Sequence, residues 1–175
     1  FHKMKEAIGD FPIVAEDLGL LTPGVIQLLA DSGYPGMKVL EFAFDSGEEN
    51  DYLPSKYTEN SVVYSGTHDN DTIMGWFATA KPEDIDFARN YCKLSDEEGY
   101  NWGLMRAAWA SVADMAIIPM MDLLGLGSEA RINVPSTLGT NWKWRATDEQ
   151  ISKDLAKKIY NYAKLYGRLN TVTVK

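Results

Sequence analysis

The chain has 175 residues, of which 45% are hydrophobic and 11% aromatic, and this composition excludes a disordered or low-complexity protein. Its formal net charge of -8 and its pI of about 4.7 argue against nucleic acid and anionic membranes as partners. No signal peptide or membrane-spanning apolar run is recognised, and the single cysteine, Cys92, permits no intrachain disulfide. A cytoplasmic location is therefore expected, and because the chain starts at Phe1 it is expected to be a piece of a longer polypeptide.

The first predicted strand covers residues 11–15 and is followed directly by the acidic pair Glu16 and Asp17. We expect this strand to be buried, because its short apolar run is bounded by polar residues and glycine. A carboxylate at the end of a buried strand is costly without a partner or a chemical task, so Glu16 is a candidate catalytic residue. A helix should follow, with Thr22 as its N-cap and Gly33 at its end.

A polar cluster follows a later strand in the same way. Strands are predicted over residues 36–40 and from residue 61, and the second stops at a glycine before the polar residues 67–71. Asp69 or Asp71 could simply cap the helix that comes next. The cluster is more polar than a helix cap needs, so we interpret it as a catalytic segment at the carboxyl end of a strand.

The remaining predicted elements continue this alternation of strands and helices. They are a helix from residue 81, a helix over about residues 100–113, a buried strand over residues 115–120, and a final helix that starts at the capping box of Thr147 and Gln150 and ends at Gly167. Alternating strands and helices imply a parallel sheet with about four β/α units. A complete (β/α)8 barrel has eight such units, so we predict an α/β fold that is half a barrel, with two open sheet edges that favour self-association.

Four segments resemble the 4-α-glucanotransferases, also called amylomaltases or disproportionating enzymes (glycoside hydrolase family 77). They read IVAEDLG at 13–19, GMKVL at 36–40, SGTHDNDT at 65–72 and LGLGSEARIN at 124–133. The likeness runs from about residue 1 to residue 167. It implies that residues 1–175 are the carboxyl-terminal half of a TIM (β/α)8 barrel, whose amino-terminal half is absent from the chain and would be its partner.

The same resemblance implies an activity and a set of site residues. The enzyme would transfer α-1,4-glucan segments between malto-oligosaccharides and glucose acceptors, without a cofactor or metal. Glu16 matches the general acid/base, and Asp69 matches the aspartate that stabilises the transition state. The implied substrate-binding residues are Asp17, His68, Asn141 and Trp142. The family's nucleophilic aspartate lies in an Arg-x-Asp-His type motif that this chain lacks, so the isolated chain is predicted to be inactive.

Other interpretations of these residues stay open at this point. Trp142, Trp144 and Tyr34 could stack on sugar rings or pack against the protein itself. The chain could be a glucan-binding fragment without catalytic activity. It could also be a metal-dependent hydrolase, whose ligands would be His68, Asp69, Asp71 and Asp122. Residues 133–136 read Asn-Val-Pro-Ser, where the family more often has Asn-x-Pro-Gly.

Overall fold

A computed structural model describes residues 1–9 and 11–169, which form an α/β fold around a parallel sheet. The strands are β1 (Gly36–Val39), β2 (Ser61–Tyr64) and β3 (Met115–Ile117), in the spatial order β1-β2-β3. The register pairs β1 and β2 from Gly36 and Ser61 onward, and β2 and β3 from Val62 and Met115 onward. Because the strands are parallel, their carboxyl ends all lie at one edge of the sheet.

The described residues also form seven α-helices. They are α1 (His2–Ile8), α2 (Pro23–Ser32), α3 (Ile73–Thr79), α4 (Pro82–Cys92), α5 (Tyr100–Trp109), α6 (Met120–Leu124) and α7 (Lys153–Leu165). The limits of α2 are those predicted, since Thr22 Oγ1 accepts a hydrogen bond from Val25 N (3.4 Å) and Gly33 adopts a φ of 71°. In the part of the chain that the structure describes, no helix is long and apolar enough to cross a membrane.

The hydrophobic core joins the sheet to the helices of the β2–β3 connection. Leu40 and Phe44, which follow β1, are fully buried together with Ile73 of α3 and Leu104 of α5. Each such side chain contributes about 1.5–3 kcal/mol relative to an exposed position. This packing fixes the carboxyl ends of β1 and β2, the two strand ends that carry most of the polar residues discussed below.

The prediction of a buried strand over residues 11–15 was wrong, so the described residues form a sheet of three strands instead of about four. Phe11 and Val14 are 57% and 38% exposed, and the segment approaches β1 through one backbone hydrogen bond, from Ala15 N to Pro35 O (2.9 Å). A strand needs a continuous ladder with a neighbour, and a single bond does not form one. Among the described residues, no strand lies on the other side of this segment.

Two further predictions also needed correction. The strand predicted over residues 115–120 is shorter in the structure and comprises only β3. It lies at an edge of the sheet, where Met115 is 51% exposed. The final helix begins after Ser152, whose Oγ accepts a hydrogen bond from Leu155 N (3.1 Å). Gln150 does accept a hydrogen bond from Thr147 N (2.9 Å), but this contact closes a turn that precedes the helix.

Candidate active site

The carboxyl end of β2 continues into a tight loop, residues 65–72, that presents His68 and Asp69. Within this loop, Asn70 Oδ1 accepts hydrogen bonds from Thr67 N (2.8 Å) and from Thr67 Oγ1 (2.7 Å). Thr67 Oγ1 also lies 3.2 Å from Asp69 N, which donates to it. Asparagine and threonine commonly stabilise turns through such local bonds. The loop is therefore held by its own polar side chains, and those of His68 and Asp69 remain available to a ligand.

The helix after this loop is capped by Thr72, which argues against the alternative interpretation that Asp69 or Asp71 caps it. Thr72 Oγ1 accepts a hydrogen bond from the third N–H group of α3 at 3.0 Å. Asp71 instead accepts a hydrogen bond from Ser128 Oγ (2.7 Å). Asp69 has no part in starting the helix, which removes the simplest structural explanation for an aspartate at this position.

Asp122 on α6 anchors both ends of the loop. Its carboxylate accepts hydrogen bonds from Ser65 Oγ (2.6 Å), at the start of the loop, and from Ile73 N (2.8 Å), at the start of α3. Asp122 is 1% exposed, and burial raises the pKa of its carboxyl group while these two hydrogen bonds oppose that rise. From the sequence, Asp122 was considered as a possible metal ligand, and this bridge was missed because its partners lie 57 and 49 residues away.

A cleft of about 850 Å³ lies at the carboxyl edge of the sheet and brings together Glu16, His68 and Asp69. Glu16 and Asp69 are the only carboxylates among the described residues that line it. Apolar side chains such as Phe42 and Ile117 form part of the wall. Glu16 is exposed in the part of the chain that the structure describes. This differs from the expectation of a carboxylate at the end of a buried strand.

The side chain and the backbone of Asp69 are held by two residues of the segment that follows α6. Asn133 Nδ2 donates a hydrogen bond to Asp69 Oδ1 (2.5 Å), and Arg131 Nη2 donates to the backbone oxygen of Asp69 (2.7 Å). Arg131 Nε also donates to Asn133 O (3.0 Å), which ties the two residues to each other. His68 Nε2 lies 3.4 Å from Asp69 Oδ1. The carboxylate is thus oriented before any ligand binds.

Trp142 packs against His68, with the two ring centroids 5.2 Å apart and the planes inclined by 37°. Its φ is 66°, in the left-handed region that bulky residues rarely occupy, and its backbone N–H donates to Ile132 O (2.7 Å). The side chain remains 55% exposed. An exposed aromatic ring in a strained backbone conformation beside the cleft is typical of a binding position.

Like Trp142, the predicted substrate-binding residues Asn141 and Asp17 do not line the cleft in this structure. Asn141 makes its contacts within its own loop, where Oδ1 accepts a hydrogen bond from Val134 N (3.0 Å) and Nδ2 donates to Thr137 O (3.2 Å). Asp17 Oδ1 accepts a hydrogen bond from Met37 N (2.6 Å) at the start of β1. The substrate-binding roles of Asn141 and Asp17 remain predictions.

The two further aromatic candidates for sugar stacking differ in their surroundings from Trp142. Tyr34 is buried against Phe1, with ring centroids 5.5 Å apart, so its ring is not free to stack on a sugar. Trp144 is half-buried and does not line the cleft.

The side chains proposed for a metal site do not converge. The described residues contain no group of three or more His, Cys, Asp or Glu side chains that could hold a metal ion. Asp71 bonds with Ser128 and with Thr72 N (2.7 Å), and the Asp122 carboxylate is occupied by its two donors. A metal-dependent hydrolase therefore has no ligand set in this part of the chain.

Three features are together typical of an α/β enzyme domain: the parallel sheet, the cleft at its carboxyl edge and the two carboxylates in that cleft. Residues 1–151 match the family model of the 4-alpha-glucanotransferases, so the chain belongs to this family. It is 52% identical over 169 residues to the 4-alpha-glucanotransferase of Clostridium butyricum, covering 96% of this chain and 35% of that protein. It is 43% identical over 176 residues to the enzyme of that name from Thermus thermophilus, covering 97% of this chain and 35% of the relative.

Solved structures agree with this assignment. An amylomaltase from Streptococcus agalactiae, solved in complex with acarbose, superimposes with a TM-score of 0.92 at 37% identity, over 97% of this chain and 34% of that one. The amylomaltase of Corynebacterium glutamicum, at 17% identity and a TM-score of 0.62, supports the fold alone. The α/β fold thus matches part of an amylomaltase, and the chain spans about a third of the length of the curated relatives it matches.

Proposed function

We propose that this chain carries the acid/base part of the active site of a 4-α-glucanotransferase. The whole protein would transfer α-1,4-glucan segments between malto-oligosaccharides, with glucose as a further acceptor. The observation that carries the proposal is the shared cleft of Glu16, His68 and Asp69 in a chain of this family. The acarbose complex of the Streptococcus agalactiae amylomaltase supports an oligosaccharide ligand.

Glu16 is the proposed general acid and base. In the first half of a retaining reaction it would donate a proton to the glycosidic oxygen as the bond to the leaving sugar breaks. In the second half it would remove the proton from the acceptor hydroxyl group, which attacks the glycosyl intermediate. Its exposed position suits both roles, since the leaving and the accepting sugars must each reach the same carboxyl group.

Asp69 and His68 are the proposed stabilisers of the transition state. Positive charge develops on the sugar ring as it flattens toward an oxocarbenium ion, and a carboxylate close to the ring opposes that charge. Asn133 holds the Asp69 carboxylate in place, so little reorganisation is needed when the charge forms. His68 can donate a hydrogen bond to a sugar hydroxyl group from the adjoining position, and Trp142 can stack on a neighbouring sugar.

The nucleophile is proposed to come from residues of the full-length protein outside this chain. A retaining reaction places a nucleophilic carboxylate about 5–5.5 Å from the acid/base. Asp69 is the only other carboxylate among the described residues that line the cleft, and we assign it to stabilisation. In this proposal residues 1–175 form the carboxyl-terminal half of a (β/α)8 barrel, and the isolated chain does not turn over glucan. The mechanism uses no metal or cofactor.

Replacement of Glu16 by glutamine in the full-length protein tests this proposal. We expect disproportionation of maltotriose to fall by about 10²- to 10⁴-fold, because both proton transfers are lost. Glu48→Gln is the matched control, since it makes the same chemical change at an exposed position outside the cleft and should leave the rate unchanged. Near-normal disproportionation by the Glu16→Gln protein would exclude the assignment. A wild-type protein that binds maltotriose without converting it would identify a glucan-binding protein instead.

A further inference from the structure

Glu41 is a buried acid that the proposed reaction does not use. It lies two residues after β1 and is 7% exposed, and its Oε1 atom has no hydrogen-bond partner among the residues that the structure describes. Its backbone N–H donates to Ser65 O (3.1 Å), which places it beside the carboxyl end of β2. A buried polar atom without a partner is unfavourable, so its presence here needs a specific reason.

The side chain of Glu41 lies against the loop that presents His68 and Asp69. A Cβ atom added to Gly66 would lie 3.0 Å from Glu41 Oε1 and 3.2 Å from the Cβ of Asn70. The absence of a side chain at Gly66 therefore allows the carboxyl group to approach the loop backbone closely. Asn70 is the residue whose side chain closes the turn.

We propose that Glu41 is a positioning residue, whose buried carboxyl group packs against Gly66 and Asn70 and so keeps His68 and Asp69 directed into the cleft. The catalytic consequence of this inference rests on the proposed function, whereas its structural consequence does not. Glu41 would act through the loop and would not contact the sugar, because its side chain is buried and does not line the cleft.

The charge on Glu41 decides whether it can support the loop. Burial, together with the nearby carboxylates of Asp122 on α6 and Asp71 before α3, raises the pKa of its carboxyl group to about 9, while Arg131 acts in the opposite direction. Glu41 is therefore uncharged at neutral pH. Above about pH 9 it would add a negative charge beside two acids in a buried site, and this repulsion would displace the loop.

The sign of the effect on folding follows from the same shift. The unfolded chain releases this proton near pH 4.5, whereas the folded chain keeps it until about pH 9. The folded state therefore binds more protons between these values, and the free energy of unfolding decreases as the pH rises through that window. Glutamine has nearly the same shape but no charge, so Glu41→Gln should remove this pH dependence.

The decisive measurement is the ratio of the Glu41→Gln rate to the wild-type rate of the full-length protein at each pH. The titration of groups common to both proteins cancels in this ratio. We expect equal rates at pH 7 and a ratio that increases above about pH 9, where only the wild type acquires the charge. The Glu48→Gln control should give a flat ratio. Glu41→Leu, which fills space without polar atoms, should lower kcat by up to about 100-fold with less effect on KM.

A spectroscopic measurement separates this inference from the proposed function. The imidazole NMR signal of His68, assigned by its loss in His68→Gln, should show an inflection near pH 9 in wild type and in Glu48→Gln, but none in Glu41→Gln. If the wild type has no transferase activity but shows this inflection, the proposed function fails and the positioning role stands. If Glu41→Gln keeps the inflection, or if the wild type has none, the inference is wrong. Both tests use Glu41→Gln, so they remain decisive even where Glu41→Leu does not fold.

Discussion

Asp69 is held in place at two separate points. Asn133 bonds with its carboxylate and Arg131 bonds with its backbone oxygen. The first contact orients the group that would face the sugar, and the second fixes the position of the chain. These two functions can therefore be disturbed one at a time by mutation.

Replacing Asn133 by alanine should remove only the orientation of the carboxylate. We expect kcat for maltotriose disproportionation in the full-length protein to fall by up to about 100-fold, because misplacement of a catalytic group raises the barrier. KM should change less, since the contact matters most where charge develops. Steady-state kinetics would measure both quantities. Asn90→Ala, on the exposed surface of α4, is the control and should behave as wild type. An increase in KM at constant kcat would instead show that Asn133 binds the substrate in the ground state.

The sequence revealed the site residues that stand next to recognisable local patterns. His68 and Asp69 come soon after a predicted strand. Glu16 lies in one of the segments that resemble the 4-α-glucanotransferases. Asn133 and Arg131 were visible only as members of such a motif, because their contacts with Asp69 span 64 and 62 residues. Local patterns carry no information on pairs so far apart, and these pairs form only when the sheet brings the segments together.

At the scale of secondary-structure elements, Asp122 joins three of them through one carboxylate. It lies on α6 and bonds with the residue after β2 and with the first residue of α3. The loop of the candidate site is thus fixed at both ends by a side chain that does not line the cleft. Its removal should weaken the fold as well as the site.

Asp122→Asn should destabilise the protein by about 1.5–3 kcal/mol, the usual value of a hydrogen bond to a charged group. The amide oxygen can still accept from Ser65 Oγ, but the NH2 group would then face Ile73 N, and two donors cannot bond. Urea unfolding of the full-length protein would measure the change. Asp86→Asn on the exposed face of α4 makes the same substitution at the surface and should have little effect. Equal stability of the two variants would show that the bridge contributes nothing.

Elements with strong local signals were predicted correctly, and elements that depend on distant neighbours were not. The limits of α2 and the position of β2 agree with the sequence, because caps and β-branched residues act locally. Residues 11–15 have the composition of a strand, but they do not pair with a strand among the described residues. The start of α7 was placed too early, since the Thr147 and Gln150 contact occurs in a turn as well as in a capping box.

At the scale of the whole molecule, the sheet has unpaired backbone at its edge. Among the described strands, β3 pairs with β2 alone. Met115 and Ile117 of β3 and the nearby Val112 are exposed apolar residues, and Phe11 and Val14 are exposed on the segment beside β1. Val39 and Val63 are fully buried, so the exposed apolar surface does not extend to these residues of β1 and β2. Open edges flanked by apolar side chains favour pairing with another chain.

The isolated chain of residues 1–175 should therefore self-associate. We expect its weight-average mass in sedimentation experiments to increase with concentration. Met115→Lys should reduce this increase, because a lysine on an edge strand opposes edge-to-edge pairing. Leu138→Lys introduces the same charge at a fully exposed loop position away from the sheet, and it should not change the association. A chain that stays monomeric at every concentration would contradict this prediction.

The contact between Arg131 and the carbonyl oxygen of Asp69 has a consequence for how this position can evolve. Every amino acid has that carbonyl oxygen, so the anchor does not depend on which side chain stands at position 69. A substitution there changes the chemistry offered to the ligand but does not by itself remove this backbone contact. Substitutions at this position are therefore expected to be compatible with folding. A library randomised at residue 69 should consist mainly of folded proteins.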